Sequence, residues 1–198
     1  MIDLFSEYGS NLLPRNGEVN YYGPVLPDAD HYLQALLHII PWQHDQVFVA
    51  GELRSTKRKV AWYGNERYRY TYSGVTREAL PWTRELLELK TVVEHKLGAV
   101  FNSCLLNLYG NGAEGMAWHS DDEAALGRNT TIASVSLGAE RKFLLRHKTS
   151  GETVSVLLQH GSLLVMRGET QAFWRHSIPK SATIHAPRVN LTFRTIVP

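Results

Sequence analysis

The sequence predicts an α+β protein, mainly β, in which an α/β first half precedes an all-β second half. Two observations support this class. Before Gly98, two stretches repeat apolar residues at helical spacing among short apolar runs. After Gly98, short runs of β-forming residues alternate with Gly-rich or polar turns, which is typical of a sandwich or jelly roll. We expect one domain over 1–198, with an N-terminal extension to about residue 98 and a core from about residue 99.

The first elements follow from local signals. Residues 1–27 show no sustained period and predict an irregular leader. The aspartates of segment 28–30 can cap a helix that runs to about Ile40, and Pro41 would end it. The apolar stripe of this helix consists of Leu33, Leu36, Leu37 and Ile40.

The next segments predict short strands. Apolar runs with β-forming residues at 46–50 and 59–63 indicate two strands. The polar, basic segment 51–58 between them indicates a loop or hairpin. Aromatic and polar residues alternate over 68–72, which predicts a strand with its tyrosines on one face.

The clearest helix opens at 80–83 and ends before Gly98, which stands where a C-cap glycine belongs. Its apolar residues recur at spacings of three or four, namely Trp82, Leu86, Leu89, Val93 and Leu97. The second half then predicts strands at 101–109, 130–137, 141–147, 153–158, 162–166 and 188–197.

Composition limits the class of protein. Hydrophobic residues make up 43% of the chain, and the single cysteine, Cys104, leaves no internal disulfide or zinc–thiolate cluster. The sequence contains no apolar run of membrane-spanning length and no signal pattern. We therefore expect no membrane partner and a location in a bacterial cytoplasm, with a nuclear location left open if the source is eukaryotic. We also expect a monomer. The formal charge is only +2, but basic residues are concentrated in 51–70, and local basic patches suit polyanions.

The segment 118–123 carries an indole, an imidazole and three carboxylates, which is an unusual density of reactive groups. His119 and Asp121 are two residues apart, so in extended chain both side chains point to the same face. A neutral imidazole and a carboxylate that converge supply two ligands of a metal site. Two histidines and one carboxylate with open positions are the arrangement of non-haem Fe(II) oxygenases.

The third ligand must be a distant histidine. His176 follows the predicted strand 162–166 and is the favoured candidate. His160 competes with it, but it stands in a turn before a strand, where a histidine is more often simply exposed. His185 is also in a loop-like segment.

The last predicted strand gives an independent signal. Residues 188, 190, 192 and 194 are Arg, Asn, Thr and Arg and share one face, while Val189, Leu191 and Phe193 share the other. Two arginines on an inner face require an anionic partner, and a dicarboxylate co-substrate would satisfy one or both. Asn107 and Tyr109 repeat the pattern opposite Leu108.

Simpler interpretations stand beside these. His119 and Asp121 could form a hydrogen-bonded pair without metal, and Asp122 and Glu123 could be solvated turn charges. The tyrosines of 68–72 could pack on a sheet, and segment 54–59 could be a solvated loop. Trp118 and Trp174 are expected to be core supports for the ligand-bearing segments, and Cys104 a buried strand residue. The arginines of 188–194 are the feature that these interpretations leave unexplained.

Taken together, these motifs resemble the AlkB family of Fe(II)/2-oxoglutarate dioxygenases, over roughly residues 45–198. The resemblance rests on His119-Ser-Asp121, on His176, on the closing strand, and on the segments 61–64, 107–109, 132–138 and 160–164. It implies a double-stranded β-helix (jelly-roll) core with an N-terminal α/β nucleotide-recognition extension. It implies Fe(II) held by His119, Asp121 and His176, with O2 and 2-oxoglutarate as co-substrates. The residues that it implies for 2-oxoglutarate are Asn107, Tyr109, Arg188, Asn190, Thr192 and Arg194, with Arg188 on the distal carboxylate and Arg194 also orienting Asp121.

The resemblance further implies oxidative N-demethylation of 1-methyladenine and 3-methylcytosine in DNA repair, with RNA as a second substrate. Formaldehyde, succinate and CO2 would be released. Tyr72 would stack on an unpaired or flipped base with Tyr70 nearby, and Asp122 and Glu123 would favour these cationic lesions. The segment 54–72 and a second basic strand would meet phosphates, the latter through Arg141, Lys142, Arg146 and Lys148. The alternatives are an RNA or protein hydroxylase or demethylase of the same fold, and a non-catalytic jelly-roll binding module.

Overall fold

The computed structural model describes residues 8–49, 52–72 and 75–197, without the side chains of 47–49, 70–72 and 75–77. Within these ranges the helices are α1 (Ala29–Ile39), α2 (Arg84–Leu97) and α3 (Thr170–Phe173). The strands of the first half are β1 (Glu18–Pro24), β2 (Gln43–Val49), β3 (Glu52–Gly64), β4 (Arg69–Tyr72), β5 (Val75–Glu78) and β6 (Leu80–Pro81). Those of the second half are β7 (Ser103–Tyr109), β8 (Met116–His119), β9 (Ile132–Gly138), β10 (Arg141–His147), β11 (Thr153–Leu158), β12 (Ser162–Arg167), β13 (Trp174–Ile178) and β14 (Arg188–Arg194).

Two sheets face each other. The larger, eight-stranded sheet has the order β1-β12-β9-β14-β7-β3-β2, with β6 beside β3. The smaller sheet has the order β11-β10-β13-β8, and β4 pairs with β5 as a separate hairpin. Strands from both halves of the chain form the larger sheet, so the extension predicted over 1–98 shares a sheet with the core. Among the described residues, no helix is long and apolar enough to cross a membrane.

The larger sheet is buried on both faces. Alternate residues of its central strands pack under α1 and α2, for example Val135, Leu163 and Leu191. Residues of opposite parity, such as Ile132 and Leu164, pack against the smaller sheet. Because a strand buried on both faces needs apolar residues at consecutive positions, β12 reads as a continuous apolar run.

The two helices lie where the periodicity predicts them. α2 begins after Thr83, whose hydroxyl accepts the amide N–H of Leu86 at 3.3 Å, and it ends at Gly98 in the left-handed conformation with φ +61°. α1 begins after Asp28, but the side chain of Asp28 makes no capping hydrogen bond. The predicted aspartate cap of α1 is therefore wrong, and packing of Leu33 and Leu36 supplies its stability.

The leader is irregular only in part, because β1 pairs with β12 at one edge of the larger sheet. Of the two alternatives for segment 51–58, the hairpin is the correct one, since Glu52 to Arg58 belong to β3, which runs unbroken for 13 residues. Its outer half pairs with β2 and its inner half with β7. Polar side chains on an exposed hairpin resemble a loop in composition, although the backbone is extended.

β8 and β13 were not predicted as strands. Their sequences, Met-Ala-Trp-His and Trp-Arg-His-Ser-Ile, lack a run of β-branched residues. β13 pairs with β10 and with β8, and this pairing makes both strands extended. These two strands carry the histidines discussed below.

Arg141 is a structural residue, which corrects its prediction as a phosphate contact. It is 1% exposed, and its Nη2 donates to the carbonyls of Glu114 (2.7 Å) and Pro179 (2.8 Å). Lys142 and Arg146 of the same strand are exposed. We expect Arg141→Met to lower the free energy of unfolding by about 2–4 kcal/mol, because buried carbonyls lose their donors. Chemical denaturation would measure this, with Lys142→Met as the control, expected within about 0.5 kcal/mol of the parent. An equal loss in both variants would contradict the assignment.

Candidate metal centre and its cavity

The strand pairing brings together the three residues predicted as metal ligands. His119 ends β8 and stands directly opposite His176 on β13. Asp121 follows His119 by two residues and is buried. One potential ligand atom from each residue lies within 4.8 Å of the others. The donor set is two imidazoles and one carboxylate, which suits non-haem iron.

Local contacts fix the orientation of the two imidazoles. Nδ1 of His119 lies 2.9 Å from the carbonyl oxygen of Ala117 and must donate to it, so Nε2 carries the lone pair of the neutral ring. That Nε2 lies 3.6 Å from Oδ1 of Asp121. The His119 and His176 rings are 4.2 Å apart at their centroids, and Phe143 stacks on His176 at 5.3 Å. Nε2 of His119 is therefore directed at the position that a shared metal ion would take.

Asp121 is held as a carboxylate. Burial alone would raise its pKa, but the positive charge of Arg194 and the hydrogen bond from it outweigh burial, and the pKa lies below its ordinary value. Nη2 of Arg194 donates to Oδ2 at 2.8 Å, as the sequence resemblance implied, and the Asp121 amide donates to Oε1 of Gln171 at 2.9 Å. These contacts leave Oδ1 directed toward His119.

His176 is held as a neutral ring. Burial lowers its pKa to about 3, although the charge of Asp121 opposes that shift. A neutral imidazole is the form that binds a metal ion. Both buried ligands therefore present their metal-binding protonation states near neutral pH.

A cavity of about 330 Å³ opens beside these ligands, between the two sheets. The larger sheet contributes a polar wall to it, formed by Asn107, Tyr109, Ser134, Arg188, Asn190, Thr192 and Arg194. The smaller sheet contributes apolar residues that include Phe143, Leu158 and Ile178, and Leu126 and Met166 of β12 add to this apolar lining. All six residues predicted for a dicarboxylate thus line one cavity with the metal ligands.

Arg188 is the strongest sign that this cavity takes an anion. It is 1% exposed, and its Nη2 donates to Oγ of Ser136 at 3.0 Å. Among the described residues, Nε and Nη1 have no hydrogen-bond acceptor, and no carboxylate lies within ion-pair distance of the guanidinium. Burial lowers its pKa to about 10, which still leaves it charged at neutral pH. A buried cation with free donors is matched by a carboxylate ligand.

A glycine permits the backbone approach that places Arg188. Gly138 ends β9 with φ +88° and pairs with Arg188 on β14. A Cβ atom at this position would lie 2.4 Å from the carbonyl oxygen of Pro187. Any other residue would therefore push the start of β14, and Arg188 with it, away from β9.

Arg58 and Asp45 also line the cavity, and neither is predicted as a site residue from the sequence. The sequence predicts Arg58 as part of a polar, basic segment, but it is buried and donates to both Asp45 Oδ2 and Asn107 Oδ1. The parity of β3 carries a signal, because residues 58, 60 and 62 share one face of the strand and all three line the cavity, whereas Ala61 and Tyr63 face the core under the helices. That signal requires β3 to extend through residue 58.

The predicted substrate residues fall into two groups. Glu123 lines the cavity, whereas Asp122 is exposed and lies 3.7 Å from Nζ of Lys148. Tyr70 and Tyr72 stand on β4, but their side chains lie outside the described residues. The structure therefore brings one of the two acidic residues to the cavity.

The competing histidines lie elsewhere. Nδ1 of His160 accepts the amide N–H of Gly138 at 2.8 Å, and its Nε2 lies 3.2 Å from Asp30. His185 is exposed in the segment before β14. Neither belongs to the cluster of potential metal ligands found among the described residues.

The two tryptophans beside the ligands differ. Trp174 is fully buried and its Nε1 donates to the carbonyl of Arg15 at 3.1 Å, so it is a core support as predicted. Trp118 is only half-buried, lines the cavity and carries the Arg146 guanidinium 4.4 Å over its ring. The prediction of a core role for Trp118 is wrong, because its ring is only partly buried and lies at the cavity.

Known proteins with similar sequences show the superfamily and the family to which this chain belongs. The family model described as the 2OG-Fe(II) oxygenase superfamily matches residues 25–194, so the chain belongs to that superfamily. Alpha-ketoglutarate-dependent dioxygenase alkB homolog 3 from Bos taurus is 43% identical over 183 residues, which cover 87% of this chain and 63% of the bovine protein. DNA oxidative demethylase ALKBH2 from Mus musculus is 42% identical over 161 residues, covering 77% and 67%. Within the superfamily, the chain belongs to the AlkB family.

Solved structures agree on the fold. The protein titled OsALKBH1 aligns with a TM-score of 0.65 at 16% identity, over 92% of this chain and 99% of that one. A 2OG-Fe(II) oxygenase family oxidoreductase from Burkholderia pseudomallei gives 0.57 at 14% identity, over 96% and 94%. At these identities the likeness supports the fold alone. The predicted mainly β class with a jelly-roll core is confirmed.

Proposed function

We propose that this chain catalyses oxidative N-demethylation of alkylated nucleobases, 1-methyladenine and 3-methylcytosine, in DNA, with RNA as a second substrate. The carrying observation is that one cavity holds two imidazoles and a carboxylate beside a buried arginine with free donors. The relatives named as dioxygenase and DNA oxidative demethylase support the reaction class. The chain spans 63% of the length of the bovine relative, so the activity is proposed from this segment's own residues.

The residues present fit iron and 2-oxoglutarate. His119, Asp121 and His176 would hold the metal, in the protonation states that their surroundings favour. When bound, iron with 2-oxoglutarate and O2 supplies the oxidation of an N-methyl group, and succinate, CO2 and formaldehyde are the products. The protein's own part is to fix these three ligands and to keep the cavity lining beside them apolar, through Phe143, Leu158 and Met166 among others.

The polar wall would hold the co-substrate. Arg188 would pair with the distal carboxylate of 2-oxoglutarate through its free Nε and Nη1. Arg194 donates a hydrogen bond to Asp121. Its proposed role is therefore twofold: it orients this metal ligand, and it contacts the end of the co-substrate nearer the metal. Asn107, Tyr109, Asn190 and Thr192 complete the proposed set.

The substrate side is proposed from charge and stacking. Glu123 at the cavity would favour a cationic methylated base over a neutral one, and Asp122 would add to the negative field from outside. Tyr70 and Tyr72 are proposed to stack on an unpaired or flipped base. We propose that 1–198 acts as one domain and as a monomer, in the cytoplasm of a bacterium.

The direct test supplies Fe(II), 2-oxoglutarate and an oligonucleotide with one 3-methylcytosine or 1-methyladenine. We expect formaldehyde and succinate in equal amounts, and neither after chelation of the metal. The panel compares single-stranded DNA, duplex DNA and RNA, with the unmethylated oligonucleotide as control. Binding of metal and 2-oxoglutarate without turnover of any methylated strand would reject the nucleobase substrate and keep the cofactor assignment.

A further inference from the structure

A buried ion pair lies against the proposed co-substrate site. The side chains of Arg58 and Asp45 are 9% and 4% exposed and bond each other. Arg58 also donates to Oδ1 of Asn107, so one guanidinium joins a strand at the sheet edge to the cavity wall. Asp45, Arg58 and Asn107 all line the cavity. Burying two charged side chains carries a desolvation penalty that their attraction only partly offsets. We therefore look for a role of this ion pair other than stabilising the fold.

The contact determines which way the Asn107 amide faces. A guanidinium carries only donors, so the atom bonded to Arg58 must be the amide oxygen. The Nδ2 group then remains as a donor, and it makes no hydrogen bond with any residue that the structure describes. The Asn190 amide differs, because its Nδ2 donates to Ser134 Oγ at 2.8 Å and to the Val135 carbonyl at 3.0 Å. Asn107 is thus the amide with an available N–H, suited to a carboxylate or keto oxygen.

The cavity's three arginines also differ in charge compensation. Arg194 is paired with Asp121 and Arg58 with Asp45, each through a buried carboxylate. Arg188 has no acid at ion-pair distance among the described residues. Because Asp45 compensates the charge of Arg58, Arg188 is the cavity arginine without a paired carboxylate. A dicarboxylate would therefore bind Arg188 most strongly and be oriented by it.

We infer that Asp45 and Arg58 are positioning residues that lock the Asn107 amide with its N–H toward 2-oxoglutarate. Arg58 acts through Asn107, and Asp45 supplies the charge that lets Arg58 stay buried. A lysine at position 58 could keep the ion pair with Asp45. It lacks the planar guanidinium that donates to Asp45 and Asn107 at the same time. The inference rests on the proposed function, since it assigns a role in binding that co-substrate.

The test is calorimetric titration of 2-oxoglutarate into the Mn(II)-loaded protein, without turnover. We expect Arg58→Lys to raise the Kd for 2-oxoglutarate about tenfold, equivalent to about 1.4 kcal/mol, with Mn(II) affinity unchanged. Arg54→Lys is the matched control, because Arg54 stands on the same strand in an exposed pair with Glu52. Its Kd should equal that of the parent. An unchanged Kd in Arg58→Lys would overturn the inference.

A double-mutant cycle separates positioning from general damage. Asn107→Ala should also weaken 2-oxoglutarate, and adding Arg58→Lys to it should cost nothing more. Additive losses would overturn the inference, because Arg58 would then act without Asn107. If the parent itself binds no 2-oxoglutarate, the proposed function fails first.

Asp45 is tested through stability. Asp45→Asn leaves Arg58 as a buried uncompensated cation, so we expect a clear fall in Tm. The double variant Asp45→Asn/Arg58→Gln, which buries no charge, should recover Tm and still bind 2-oxoglutarate about tenfold more weakly than the parent. Recovery of both properties would overturn the inference, and the double variant remains informative if the single one does not fold.

Discussion

His119→Ala is expected to abolish formaldehyde release and to weaken metal binding by more than about 100-fold. Loss of a residue that merely orients a metal ligand costs about 10–100-fold, and His119 is proposed as a ligand itself. Its Nε2 is directed at Asp121 by the bond between Nδ1 and Ala117. Alanine removes that donor and leaves the strand pairing of β8 with β13 in place. Mn(II) titration and formaldehyde measurement would test both expectations.

His160→Ala is the matched control for this experiment. His160 is the histidine that competed with His176 in the sequence, and its ring bonds the amide of Gly138. We expect metal affinity to stay within about twofold of the parent, since no ligand is removed. Activity that survives in His119→Ala would show that the ligand assignment is wrong. Equal losses in both variants would show only general destabilisation.

Arg188→Met is expected to act in opposite directions on binding and on stability. Affinity for 2-oxoglutarate should fall by about 2–5 kcal/mol, because a buried carboxylate loses its charged partner. The ligand-free protein should be no less stable, and up to about 3 kcal/mol more stable, because the cation is buried without an acid at ion-pair distance and burial lowers its pKa to about 10. Burying the charged guanidinium lowers the stability of the folded protein at every pH below that pKa. This destabilisation is therefore fully present at neutral pH.

Calorimetry and thermal unfolding on the same samples would test this pair of effects. Arg167→Met is the control, because Arg167 lies on the surface 3.9 Å from Glu18 and outside the cavity. It should change neither quantity measurably. A parallel fall of affinity and Tm in Arg188→Met would contradict the assignment of Arg188 as an anion anchor.

The part of the site on β14 could be predicted from the sequence, because polar and apolar residues alternate along this buried strand. In β14, Val189, Leu191 and Phe193 pack under the helices, while Arg188 and Arg194 line the cavity. This pattern is visible in sequence because a strand with two buried faces has no ordinary place for a cation. The helices were predicted for a similar reason, since α2 combines a regular stripe with signals at both ends.

What could not be predicted depends on distant partners. β1 is a strand because β12 offers an edge, and its own sequence shows no period. Arg58 and Asp45 are 13 residues apart across a hairpin, and a polar sequence does not reveal that they are buried together. The register of β13 against β8 places His176 opposite His119, and local sequence does not encode this register. Tertiary pairing therefore decided these features.

The pairing of His119 with His176 across two strands has a consequence for how this chain can change length. Side chains alternate along a strand, so deleting Arg175 would turn position 176 to the opposite face of its sheet. The hairpin loop Thr149–Ser150–Gly151 lies outside any strand and could gain residues without shifting that register. Insertions and deletions should thus be tolerated in such turns and excluded within β8 and β13, where the strand register sets the spacing of the candidate metal ligands.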